Sequence, residues 1–262
     1  MNSLWRDLWA SFRNPEFWAL SSWLDIMVRN RQSRLGVFWL LVPPMVYIWG
    51  VGSFFASMMG RPLDAYIAYV GLGYIVFRLV STIITESSGA FLASASFILD
   101  GHIRLTDFIL RVVAKALFYF LVALPVVAAA VYFSPDWQWQ GLPLAIAALS
   151  WVMVITLGVA IVFAVIGARL PDLGQLVNNV FMFAFLLTPI IWHVDTMPPE
   201  SLRGQLVRFN PLFHMVEVVR APLLGAPVAP ESLLYLGVLT LLAVVAGAVT
   251  YRLFSRHVPV WV

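Results

Sequence analysis

Few side chains in this sequence could do chemistry, and most of those fall where the surrounding residues are apolar. In "NPLFHMVEVVRAPLLG", residues 210–225, His214, Glu217 and Arg220 recur at intervals of three along an otherwise greasy body. Positions i, i+3 and i+6 are neighbours on a helix, so the three can pair with one another or face an aqueous vestibule together. Arg78 and Glu86 lie inside another apolar run, close to one helical face and roughly 12 Å apart along its axis. An ionised group costs at least about 2.5–3.5 kcal/mol at a bilayer centre, so both must face protein or water. Arg78 is the deeper of the two. It suits either an anionic or hydroxyl-rich substrate or a carboxylate across a subunit contact, whereas Glu86 suits structural pairing near the headgroups.

Catalytic patterns are missing. His102, His193, His214 and His257 are scattered through loops and termini, with no HExxH, no paired acidic motif and no GxSxG, so no catalytic or metal-ligating residue is expected. The one lysine, Lys115, sits in "RVVAKALF" rather than in a glycine-rich loop. If transport here is driven by ATP, another chain must bind the nucleotide. Zero cysteines exclude disulfides, thiolate metal sites and thiol catalysis.

The elements that must position these residues are set by composition. Hydrophobic residues make up 61%, charged residues 11%, and the mean hydropathy is +0.89 over 262 residues, which is the profile of an all-α polytopic membrane protein without a separate soluble domain. A net charge of +3 is too small to suggest nucleic acid. Apolar runs at about 36–59, 64–88, 108–133, 142–168, 173–192 and 232–254 predict six transmembrane helices. With the N-terminus cytoplasmic, Arg6, Arg13, Arg29, Arg31, Arg34, Arg104, Arg111, Lys115, Arg169, Arg252 and Arg256 fall on that side, against Arg61, Arg203, Arg208 and Arg220 on the other. The bias places both termini, including the tail 255–262, in the cytoplasm. The acidic residues of the first 17 positions and their lack of an apolar core argue against a cleaved signal peptide.

Within the N-terminal region 1–35, Asn14 and Pro15 open a helix in which Phe17, Leu20, Leu24 and Met27 recur at helical spacing. Glu16, Ser21, Asp25 and Arg29 fall elsewhere. That pattern suits a helix in the cytoplasmic interface, with Arg29, Arg31 and Arg34 near lipid headgroups, or one packed on a soluble partner. After the second run, Phe97, Ile98 and Leu99 form a short apolar patch turned by Asp100 and Gly101, and Thr106 or Asp107 is placed to cap the next helix. A short surface helix exposing Phe97 and Leu99 would give a soluble partner something to push on. An ordinary reversal between spans is the simpler alternative. Tyr66, Tyr69, Tyr74, Phe77, Phe181, Phe183 and Phe185 fall in the second and fifth runs, where rings either line a sugar path or pack. The segment 210–225 has a capping Asn, Pro at the first helical position and Gly past the end. Its roughly 14 helical residues reach only about 21 Å, short of a hydrocarbon core of about 30 Å.

"RNRQSRLGVFWLLVPP", "FNPLFHMVEVVRAPLLG" and the closing "YRLFSRHVPVWV" together resemble, in that order, segments of ABC type-2 permease subunits of polysaccharide exporters. The resemblance covers nearly the whole chain. It implies a homodimer bound to two copies of a separate ABC ATPase, which would hold ATP and Mg while this chain holds no cofactor. It also implies export of an undecaprenyl-diphosphate-linked glycan, O antigen first, from the bacterial inner membrane. Residues 94–101 would be the helix that couples to the ATPase, with Ser96, Phe97, Ile98, Leu99 and Asp100 at the contact. Residues 196–208 and 211–224 would be re-entrant external gate helices, carrying His214, Glu217 and Arg220. The substrate entrance and path would involve Arg29, Arg31 and Arg34, and then Glu86, Arg78, Phe77 and Tyr74. A permease for capsule, teichoic acid or another amphiphile or drug, and a polytopic glycolipid-processing enzyme, remain alternatives.

Overall fold

The computed structural model describes residues 4–31, 34, 36–198 and 200–262, and every regular element among them is helical. Two short helices, α1 (Leu4–Arg13) and α2 (Glu16–Arg31), precede a broken helix over Gly36–Met59. That helix passes from a 3-10 turn through α3 (Val42–Met45) and a π segment (Val46–Val51) into α4 (Gly52–Met59). Pro43 and Pro44 supply no amide hydrogens, and the Ser53 hydroxyl back-bonds to the Trp49 carbonyl, so two local causes bend the segment.

The bundle is built around α5 (Leu63–Ser87), which is buried along nearly its whole length by the helices that surround it. The short α6 (Ala95–Leu99) then leads to α7 (Leu105–Tyr132) and α8 (Leu142–Arg169). Neither Thr106 nor Asp107 occupies the capping position of α7, because the helix begins earlier, at Leu105. Asp107, at the third helical position, accepts from the Arg104 amide at 3.3 Å, and Thr106 exchanges a hydrogen bond with Ser11 of α1 at 2.7 Å.

Next come α9 (Leu173–Leu187), α10 (Leu202–Arg208), α11 (Pro211–Leu223), α12 (Pro230–Phe254) and the closing turn α13 (Val258–Trp261). Five segments are long and apolar enough to cross a membrane: Gly36–Met59, Leu63–Ser87, Leu105–Tyr132, Trp139–Arg169 and Pro230–Trp261. The protein is therefore a multi-pass membrane protein. The run expected over 173–192 forms a helix of only 15 residues, because Thr188 precedes a proline and takes an extended conformation (ψ 133°). Helices α1 and α13 lie at one end of the bundle, called here the terminal end: Tyr251 of α12 donates to Asp7 of α1 at 2.8 Å, and Arg169 stands over Trp261 of α13 at 5.8 Å. From that end, where Gly174 lies near Ser88, the chain runs along α5 until the Tyr66 and Tyr69 hydroxyls meet the carbonyls of 189–192 at the distal end.

Helices α8 and α12 touch through backbone. A Cβ on Gly158 would stand 2.7 Å from the Ala243 carbonyl oxygen, and one on Gly247 would stand 2.9 Å from that of Gly158. Gly158→Ala is expected to cost about 1–3 kcal/mol by overpacking, read as a lowered unfolding temperature in detergent micelles.

Candidate functional site

Two adjacent hollows lie along α5. The first, a vestibule of about 530 Å³ at the terminal end, is bounded by α2, α5, α7 and the start of α9. Its charged groups come from distant parts of the chain. Arg111 of α7 grips Asp25 of α2 with two hydrogen bonds, Nε to Oδ2 at 2.8 Å and Nη2 to Oδ1 at 2.6 Å. One turn further on, Lys115 meets Glu86 of α5 at 2.5 Å. All four side chains keep part of their surface in the opening, and Arg29 lines it too. Arg31 and Arg34 are exposed elsewhere, so of the three N-terminal arginines only Arg29 borders the vestibule.

Thr85, Glu86 and Asn178 line both this vestibule and a second hollow, a cleft of about 460 Å³ between α5 and α9. Rings of the cleft pack edge to face or in parallel: Tyr47 stacks on Tyr74 at 5.0 Å, and Phe77 meets Phe181 at 6.0 Å and Phe185 at 5.3 Å. Arg78 stands among them. Beyond the exposed start of α5 at Leu63 and Asp64, it is that helix's one exposed residue. Its Nη1 donates to the Tyr74 hydroxyl at 3.2 Å, and among the described residues no carboxylate lies within ion-pair distance of it. The cleft thus offers a cation, hydroxyls, an amide and ring faces side by side. That set suits a polyhydroxylated or anionic ligand better than a purely apolar one.

At the distal end, His214, Glu217 and Arg220 are not one cluster. Arg220 is almost wholly buried, donating from Nη2 to Glu217 at 2.6 Å and from Nη1 to the Pro189 carbonyl at 2.9 Å. Its guanidinium lies 3.6 Å from the centre of the Tyr69 ring, whose other side stacks on His193 at 3.7 Å. His214 faces the other way. Its Nε2 lies 2.7 Å from the Arg208 carbonyl, which can only accept, so Nε2 carries the proton and Nδ1 accepts from Ser232 at 2.9 Å. The helix that carries these residues keeps its punctuation, with the Asn210 side chain accepting from the Leu212 amide at 3.0 Å and Gly225 at φ 68°.

On α6, Ser96, Phe97, Leu99 and Asp100 are exposed and Ile98 is buried, so two large apolar side chains project from the terminal end. Asp25, Arg111, Lys115, Tyr47 and Asn178 are not among the site residues expected from sequence. The pairs join positions 86 and 29 residues apart, and no local pattern announces such a contact.

The ABC-2 type transporter family matches residues 15–224, most of the chain. The chain is 24% identical over 237 residues to an O-antigen export system permease protein RfbA of Klebsiella pneumoniae, covering 88% of each. A protein of that name from Myxococcus xanthus is 23% identical, covering 75% of this chain and 76% of its own. Nodulation protein J of Neorhizobium galegae is 26% identical, covering 91% and 94%. Membership of this family implies an ABC ATPase as partner. The chain belongs to the ABC-2 type transporter family and is the membrane permease subunit of a transporter, not an enzyme.

Proposed function

We propose that this chain is half of the membrane channel of an ATP-driven exporter that moves a lipid-linked polysaccharide, O antigen first, out of the cytoplasm. Two copies form the path and each binds one ATPase subunit. In this reading the terminal end is cytoplasmic, the membrane is the bacterial inner membrane, and α9 with residues 188–193 makes a sixth crossing. The hairpin of α10 and α11 then re-enters from the external side, which a helix of 13 residues can do without spanning.

One observation carries the proposal: the charged vestibule and a ring-lined cleft holding Arg78 lie side by side, sharing Thr85, Glu86 and Asn178, so an anionic headgroup and its sugars would meet matching chemistry in sequence. The relatives named as O-antigen export permeases support the substrate class. The match to nodulation protein J favours a second reading, export of a different amphiphile by the same machinery. Deleting the gene separates the two. The first reading expects lipid-linked glycan to accumulate inside while surface glycan disappears, and normal surface glycan would overturn it.

The exposed Phe97 and Leu99 form the knob that docks on the ATPase. Phe97→Asp with Leu99→Asp is expected to cut ATPase recovered by affinity co-purification at least about tenfold, since apolar anchors near an interface centre each carry roughly 2 kcal/mol or more. Unchanged recovery would remove α6 from the contact.

A further inference from the structure

Arg111 and Lys115 are the feature of the vestibule that pairing alone leaves unexplained. Four residues apart on α7, they sit one above the other on a single face, and each holds a carboxylate from a different helix: Asp25 on α2 and Glu86 on α5. Ion pairs that only held helices together would be best closed off from competing anions. These open onto the same 530 Å³ hollow, with side-chain exposures of 22% and 34% in one pair and 19% and 27% in the other. Arg29 adds a third cation to that wall, so the cations outnumber the carboxylates there by one.

We propose that the two pairs form an exchangeable latch, read by a headgroup bearing two phosphoryl groups on a lipid. The proposal rests on the exporter reading and deepens it. The anion takes Arg111 and Lys115, Asp25 and Glu86 are displaced into the open hollow, and α2 loses its bidentate tie to α7. Phosphate oxygens match the planar fork of an arginine as well as a carboxylate does, so the exchange replaces one pair of hydrogen bonds with another of the same kind. The remaining hold of α2 on the bundle is uncharged: Ile26 and Ser22 are buried, Phe17 meets Phe108 edge to face at 5.4 Å, and Trp23 meets Phe118 of α7 at 6.0 Å. The outward face of α2, with Leu20, Leu24 and Val28 exposed, suits a lipid interface. Arrival of the headgroup thereby loosens the helix that walls the vestibule and widens the way toward Arg78.

The latch makes a prediction of opposite signs on the two sides of each pair. With the full chain in phosphatidylcholine nanodiscs, binding of geranylgeranyl diphosphate is measured, with geranylgeraniol as the neutral control. Asp25→Asn and Glu86→Gln are each expected to tighten binding by about tenfold, and Arg111→Met and Lys115→Met to weaken it by about tenfold, the control staying unaffected. A gain in affinity cannot come from misfolding, so the carboxylate variants keep the test decisive even if a cation variant folds poorly. Inorganic pyrophosphate, run in parallel, separates a free anion from a lipid headgroup. It is expected to bind at least about tenfold more weakly, because the lipid chain adds apolar burial, and equal affinity would overturn the lipid as the source. Hydrogen exchange of residues 16–31 is expected to rise in the wild type on adding geranylgeranyl diphosphate, and to be high in Asp25→Asn before it is added. Unchanged or weaker binding by Asp25→Asn and Glu86→Gln would overturn the latch while leaving the exporter reading to stand on its surface-glycan test.

Discussion

Arg220→Glu is expected to lower the unfolding temperature of the purified protein by on the order of 10 °C and to abolish export. The residue is 1% exposed and every group around its guanidinium suits a cation. Glu217 and the Pro189 carbonyl accept its hydrogen bonds, the Tyr69 ring presents its negative face, and glycine at position 73 of α5 leaves the room, since a Cβ there would stand 3.2 Å from Nη1. A carboxylate in that place meets two acceptors and a ring face with nothing to donate. Breaking a buried pair costs about 3–5 kcal/mol because it strands a charge, and here the new charge has the wrong sign as well. Glu217→Gln is expected to cost less, because the Glu217 side chain keeps 23% of its surface exposed. The swap Glu217→Arg with Arg220→Glu is expected not to restore stability, since Pro189 and Tyr69 still face position 220. Recovery by the swap would show the pair to be a simple exchangeable salt bridge. The measurement is thermal unfolding in detergent, followed by immunoblot of membrane fractions.

Arg78→Gln is expected to behave in the opposite way, with folding intact and transport lost. Its guanidinium faces an open cleft and makes one hydrogen bond, to Tyr74 at 3.2 Å, so removing the charge strands no carboxylate among the described residues. Charge-assisted hydrogen bonds to a ligand contribute about 1.5–3 kcal/mol, which corresponds to roughly 10- to 100-fold in transport rate at limiting substrate. Surface glycan should fall accordingly, while the unfolding temperature moves by no more than about 2 °C. Arg78→Lys keeps the charge but loses the planar fork, and an intermediate rate is expected. An unfolding temperature that drops as far as in Arg220→Glu would make Arg78 a structural residue.

These two arginines show what the sequence could and could not disclose. Both were conspicuous as charges in apolar segments, a signal that needs no tertiary knowledge. Which one is sealed and which one open depends on helices far away in the chain. Arg220 is sealed by Tyr69 and Pro189, while Glu86, on the same helix as Arg78, pairs with Lys115 and leaves Arg78 in the open cleft. The helical class and five long apolar helices were legible from composition and run length, as was the capped helix at 211, because local chemistry specifies each. The fifth run was legible as apolar but not as short, although Pro189 carried the clue: a proline restrains the residue before it. Helix α1 was missed, although Leu4, Leu8 and Ser11 recur at helical spacing and are buried. Its Asp7 and Arg6 broke the apolar pattern, and the reason for Asp7 lies 244 residues away, at Tyr251. On α2 the stripe containing Leu20 and Leu24 faces outward, and the docked face carries Ser22, Asp25 and Ile26. Hydrophobic spacing finds the apolar face of such a helix but does not say whether protein or lipid covers it.

The most direct test of the central claim is transport in a defined system. The chain is reconstituted with its ATPase in proteoliposomes carrying a diphosphate-linked glycolipid in the leaflet that the ATPase faces. Appearance of the sugar on the opposite leaflet is followed with a membrane-impermeant lectin. Transfer is expected to require ATP hydrolysis and to fall at least about tenfold with Arg78→Gln. Active hydrolysis with the glycolipid still confined to its original leaflet would contradict the claim.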